Sequence, residues 1–244
     1  MFGYFWIFFI LIIACALYAG SVQVKLRSTY SAMKDIPTRT QTSGRDTAIR
    51  LLKSGGVSDI KVGRVKGVMT DHYHPTKGVV NLSDGVYGDT SVAAVAIAAH
   101  EIGHVMQKKQ GSFSYRMRAL LVPFVNIGTA LALPLVLVGL LLDLFVFSAQ
   151  KSDVGFYVAL IGVVGYGLST LFAFITLPVE YDASRRAKQM LIEQRILTED
   201  EIPYAEQMLN AAAKTYVASL LTSLVYFLRF LVWVLVLFGR NRRD

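Results

Sequence analysis

Four long stretches of this chain are almost free of charge. Residues 2–19, 119–142 and 154–177 carry none, and residues 216–238 carry one, Arg229. About 20 apolar residues in a helix cross the hydrocarbon core of a bilayer, so the pattern predicts four transmembrane helices. The competing explanation is a set of buried core helices. Four of those would need a larger polar body than a chain of 244 residues provides. The first stretch lacks the basic n-region of a signal peptide, and the loose lipoprotein-like string Ile12-Ile13-Ala14-Cys15 lacks the same feature. An uncleaved anchor is the expectation.

Between these stretches the periodicity changes. Ser43-Gly44-Arg45-Asp46 opens a short helix with Ala48, Ile49, Leu51 and Leu52 on its inner side, and Gly55-Gly56 ends it. Residues 60–65, 68–72 and 79–83 read as three strands of a small sheet, with Lys66-Gly67 as a turn. Val79–Ser83 is expected at the sheet edge, where a substrate could add as a further strand. Asp89-Thr90-Ser91 supplies N-cap chemistry for a helix to about Lys109, with Gly111 just beyond it. The second and third spans form a hairpin with a polar turn near Gln150-Asp153. Residues 180–195 look helical. Thr198–Glu201 resembles a capping box, and Pro203 stands early in a helix expected to run on into the last span.

Composition fits a membrane protein. The chain is 54% hydrophobic, above the roughly 45–50% of soluble domains. Its net charge is +8. Lys25, Arg27, Arg116, Arg118, Arg185, Arg186 and Lys188 sit near span ends, where basic side chains meet anionic headgroups. No interleaving of aromatic and basic residues points to nucleic acid, so the expected partners are the bilayer and a protein or peptide substrate. Cys15 is the one cysteine, which excludes an intrachain disulfide and a cysteine-based metal site. Arg229 is unusual. An arginine at a span centre costs about 2.5–3.5 kcal/mol on insertion scales, so it should pair, with Asp143 as a candidate, or snorkel.

The string that carries chemistry is Ala98-Ala99-His100-Glu101-Ile102-Gly103-His104, a His-Glu-x-x-His on a predicted helix. At i and i+4 the two imidazoles point the same way, so both can bind one Zn²⁺. Glu101 can then take a proton from a zinc-activated water. Within a run of small apolar residues these three side chains would be costly to bury without a partner. Catalytic zinc usually has three protein ligands. Since the chain has no histidine after His104, the third ligand must be a carboxylate. Glu180 directly follows the third span and returns to the membrane side that the chain left at Arg118. Asp182 competes with it, or orients a ligand histidine from outside the coordination sphere. The remaining histidines, His72 and His74 in Asp71-His72-Tyr73-His74-Pro75, are either part of a polar turn or place a transition-state hydrogen-bond donor near the zinc.

Taken in order, these features resemble the YugP-like neutral zinc metallopeptidases of bacterial membranes. The resemblance rests on a first span, a DHYxP-like segment, Leu82-Ser83, AAHEIGH, a two-span hairpin and a VEYDASRRA-like segment. The chain is more distantly similar to the HtpX and CAAX prenyl protease group of gluzincins. The resemblance implies His100, His104 and Glu180 as zinc ligands and Glu101 as general base. The distant group's Glu-x-x-Ala-Asp segment is matched at Ala183 but has Ser184 in place of the aspartate.

The expected fold is a mainly α membrane protein, with four transmembrane helices and a small α+β zincin-like catalytic segment containing a short antiparallel sheet. The expected divisions are a first span at 1–19, a catalytic segment at 20–118, spans at 119–147 and 154–177, a helical segment with the third ligand at 178–215, a span at 216–238 and a basic tail at 239–244. The expected function is metalloendopeptidase, acting on membrane proteins or unfolded segments near the bilayer. Alternatives are a non-enzymatic membrane protein with a structural or regulatory zinc site, and a hydrolase of lipidated protein ends. Most span-flanking basic residues lie on the active-site face, which points to a cytoplasmic site. Arg240, Arg242 and Arg243 argue the other way.

Overall fold

A computed structural model describes residues 2–146 and 153–241. The polar turn around Gln150, residue 147 at the end of the second span and the side chains of the basic tail lie outside the described residues. The elements in chain order are α1 (Phe2–Lys34), α2 (Gly44–Ser54), β1 (Lys61–Val65), β2 (His72–His74), β3 (Val79–Ser83), α3 (Asp84–Tyr87), α4 (Val92–Lys109), α5 (Phe113–Leu141) followed by a π-helical turn (Leu142–Val146), α6 (Val154–Glu193) and α7 (Ile202–Asn241). Four of the helices, α1, α5, α6 and α7, are long and apolar enough to cross a membrane.

The chain forms two compact units. One comprises residues up to 20, 117–177 and 217 onward, and the other comprises 21–116 and 178–216. In the first, Val136, Ala159, Val163, Val234 and Phe238 make a core. There α5 and α6 approach closely through glycine, since a Cβ on Gly139 would lie 2.5 Å from the Gly155 carbonyl oxygen. Lipid tails give no hydrophobic drive between helices, and small residues that allow close backbone contact take its place.

The second unit is built partly from continuations of the membrane helices. After the uncharged run, α1 goes on to Lys34 and turns amphipathic, with Val22, Leu26, Tyr30 and Met33 buried. That spacing is one helical stripe. Likewise α6 does not stop at the end of the apolar run near residue 177 but continues through Pro178 to Glu193. The last span and the segment before it are one helix, α7. Thr198 and Glu201 meet just ahead of it, with the Thr198 N–H donating to Glu201 Oε2 at 2.7 Å.

Local signals set α2 and α4. Ser43 caps α2 by accepting from Asp46 N–H at 3.1 Å, and Gly56 follows with φ +62°. Ala48, Leu51 and Leu52 are buried, but Ile49, expected beside them, is 40% exposed. Ser91 caps α4 by accepting from Ala94 N–H, and Gly111 follows its end with φ +66°.

The sheet departs from expectation in two ways. Its order is β1-β3-β2, with β1 parallel and β2 antiparallel to β3, so it is mixed. The second strand is His72–His74 rather than 68–72, and Val68 lies in the exposed turn before it. Val79–Ser83 is therefore the central strand, and both its edges are paired. A substrate strand could add only to the outer edge of β1 or β2. The reason is burial: Val80 and Leu82 are fully buried, and the strand that buries most takes the middle.

Candidate metal centre

On α4, His100 and His104 lie one turn apart with ring centroids 4.8 Å from each other. From α6, Glu180 reaches between them. Its Oε2 is 3.2 Å from His100 Nε2 and 3.5 Å from His104 Nε2. One donor atom from each of the three residues falls within 4.8 Å of the others, an arrangement that could hold a metal ion. The helices can come this close because of Gly103. A Cβ there would lie 2.5 Å from the carbonyl oxygen of Ala183 on α6.

Glu180 is 1% exposed. Burial alone would push its carboxyl group upward in pKa, but hydrogen bonds and charge from His100 and His104 outweigh this and hold it well below the usual carboxylate range. His104 shows the converse balance. Burial favours its neutral form, yet Glu180 beside it raises its pKa. A buried anion facing two imidazoles is the electrostatic setting that a divalent cation completes.

The far side of each imidazole is also held. Gln107, fully buried, donates from Nε2 to Val179 O at 2.7 Å and to Asp182 Oδ2 at 2.9 Å. Its Oε1 is therefore the atom facing His104 Nδ1, at 3.0 Å, and the ring must donate there. That tautomer leaves the His104 Nε2 lone pair facing the point where the three donors converge. On His100, Nδ1 lies 3.2 Å from Ser184 Oγ.

Asp182 is turned away from the three converging donors. It is bound to Gln107, to Arg185 and to Arg186, whose Nε is 2.6 Å away. Burial opposes ionisation, but Arg186, Gln107 and Arg185 prevail and push its carboxyl down to about 2. Gln107 lies between it and His104.

Glu101, 8% exposed, lines a cavity of about 200 Å³ together with His100, Glu180 and Ser184. Leu26, Met69, Ile97, Met208 and Leu209 supply an apolar wall. His72 and His74 do not line it. The ring nitrogens of His72 face Thr70 O and the Asn81 side-chain amide, and His74 Nδ1 accepts from Lys77 N–H. From the same segment it is Asp71 that borders the cavity. Its carboxylate accepts from Ser83 N–H at 2.7 Å and from Ser83 Oγ at 2.9 Å, which fastens the end of β3.

The sequence model of the family described as "Putative neutral zinc metallopeptidase" matches residues 7–235. The chain belongs to this family. It is also 35% identical over 222 residues to "Putative membrane protease YugP" of Bacillus subtilis (strain 168), which covers 91% of this chain and 92% of that protein. No solved structure matches it.

Membership in a zinc metallopeptidase family, with four apolar helices, makes the chain a multi-pass membrane protein whose cofactor is Zn²⁺. The donors fit that ion. Tetrahedral zinc with bonds of about 2.0–2.1 Å spaces its ligands roughly 3.3 Å apart, and the two separations to Glu180 Oε2 are 3.2 and 3.5 Å. Two imidazoles and one carboxylate also match a three-ligand site that keeps a position open. Gln107 and Asp71 were missed in the sequence. Gln107 stands one turn beyond His104, at i+3 on the same side of α4, and that spacing was the available signal. Nothing local marks Asp71 over its neighbouring histidines.

Proposed function

We propose that this protein hydrolyses peptide bonds beside the membrane, with His100, His104 and Glu180 holding a zinc ion and Glu101 carrying the proton. The observation that carries this reading is the convergence of two histidines from α4 and a buried glutamate from α6 on one point, with Glu101 in the wall of the adjoining cavity. A structural zinc site would be closed by a fourth protein ligand, and among the described residues no fourth histidine, cysteine or carboxylate joins this group.

When bound, zinc supplies Lewis acidity, polarising a carbonyl and making water a stronger acid. Glu101 takes a proton from the attacking water and gives it to the leaving amine as the carbon–nitrogen bond breaks. Gln107 and Ser184 keep the two imidazoles in the tautomer and rotation that binding requires. Met69, Ile97 and Leu26 exclude bulk water from one side of the cavity, which strengthens the local electrostatics.

Substrates of this reading are membrane proteins or unfolded segments near the bilayer, reached from the cytoplasmic face. Reporter fusions at both termini would check the side, because a cytoplasmic site demands that the termini lie opposite it. Comparison of lipidated with plain peptides would separate a preference for modified ends from general proteolysis.

The deciding experiment is chelator-sensitive cleavage of casein by the purified wild type and by Glu101→Gln, with zinc content measured on both. Cleavage by the wild type alone, at equal zinc, supports the reading. Equal cleavage by both variants removes Glu101 from its role. Zinc in both with no cleavage of any unfolded protein or membrane-derived peptide favours the non-enzymatic class.

A further inference from the structure

In the membrane unit, a second cavity of about 520 Å³ lies between α1 and α7. Tyr4, Phe5 and Trp6 border it from α1, and Arg229, Trp233 and Val236 from α7. Its wall is apolar except for Arg229 and the polar tips of the aromatic side chains. Tyr4 and Trp6 are each more than half exposed, and the described residues leave this space unfilled.

Arg229 is the charged residue in this lining. Among the described residues it has no ion pair with Asp143 or any other carboxylate. Its recorded partner is the ring of Trp233, 5.3 Å from the guanidinium carbon. Trp233 is one turn further along α7, so the side chain bends towards the C-terminal end of the span. The cavity places it level with Tyr4 to Trp6, in the first turns of α1, where tyrosine and tryptophan normally meet the headgroup layer.

We propose that this cleft binds one anionic phospholipid, with its phosphate on Arg229 and an acyl chain along the aromatic wall. The lining residues that carry donors are Arg229, Trp6, Trp233 and Tyr4, and none of the lining residues is a carboxylate, which suits a group that only accepts. Among the described residues the guanidinium has a ring beside it but no carboxylate to release before it meets a phosphate. A transmembrane helix with an acidic residue is the competing occupant. Helix docking favours small residues that let backbones approach, and this wall is made of large aromatics.

The test is native mass spectrometry of the full chain in detergent, supplied with equal amounts of phosphatidylglycerol and phosphatidylcholine, with glycerol phosphate as a soluble competitor. The expected result is one retained phosphatidylglycerol at several-fold higher occupancy than phosphatidylcholine, undisturbed by glycerol phosphate. Arg229→Gln should abolish the preference and Arg229→Lys should keep much of it. Val236→Trp, which fills the cleft and leaves the charge, should lower occupancy without removing Arg229. Equal retention of the two lipids overturns the proposal, as does a preference that survives both Arg229→Gln and Val236→Trp. Displacement of the lipid by an acidic transmembrane peptide or a fatty acid at lower concentration assigns the cleft to that ligand and also overturns it.

Discussion

A β-carbon added to Gly103 would stand 2.5 Å from the carbonyl oxygen of Ala183. The two backbones touch there, between the histidines of α4 and the glutamate of α6. This contact sets the distance across which Glu180 reaches His100 and His104, so the spacing of the three donors depends on a residue that has no side chain.

Gly103→Ala should therefore push the helices apart. Overpacking of this kind typically costs about 1–3 kcal/mol, and the same displacement should weaken zinc binding. Thermal melting and zinc content of the purified variant would check both. A variant that melts and binds zinc like the wild type would show that the contact is not what spaces the ligands.

Gln107 is next. Gln107→Leu keeps the volume but leaves His104 Nδ1, Val179 O and Asp182 without their shared partner. Loss of an outer-shell partner of a metal ligand usually costs about 10–100-fold in affinity. Competition with a zinc chelator would measure it, and an unchanged affinity would remove Gln107 from the site's design.

Glu180 and Asp182 can be separated directly. Glu180→Gln should lose most zinc, since it deletes the one anion between the two imidazoles. Asp182→Asn should retain zinc with a smaller loss of affinity, because Asp182 faces Gln107, Arg185 and Arg186. The reverse order would make Asp182 the ligand.

Stripping zinc with a chelator should lower thermal stability of the unit containing α4. Ligand binding stabilises a fold by roughly 4 kcal/mol at a thousand-fold excess over Kd. The melting temperature should fall on chelation and return with zinc. A melting temperature indifferent to zinc would mean that the ion is not held by the folded chain.

What the sequence determined by itself was local. The four apolar runs, the caps at Ser43 and Ser91, the glycines after α2 and α4, and the i, i+4 pairing of His100 with His104 all follow from neighbours within a few turns. Hydropathy and helical period act over that range. It marked where charge-free runs end, and that the last one continues a helix begun near Pro203, but not that α1 and α6 continue beyond theirs as single helices. For α1 the stripe of Val22, Leu26, Tyr30 and Met33 was there to be read. The tertiary structure decided the rest, because it depends on contacts between distant residues. Glu180 meets His100 across 80 positions and Gln107 meets Asp182 across 75. The order β1-β3-β2, which puts Val79–Ser83 in the centre, follows from which strand buries both neighbours' edges, and no single strand encodes that. In the same way, folding turned Asp71 towards the cavity and His72 and His74 towards Thr70, Asn81 and Lys77. It also left Arg229 with Trp233 rather than Asp143, a choice between two side chains that composition could not make.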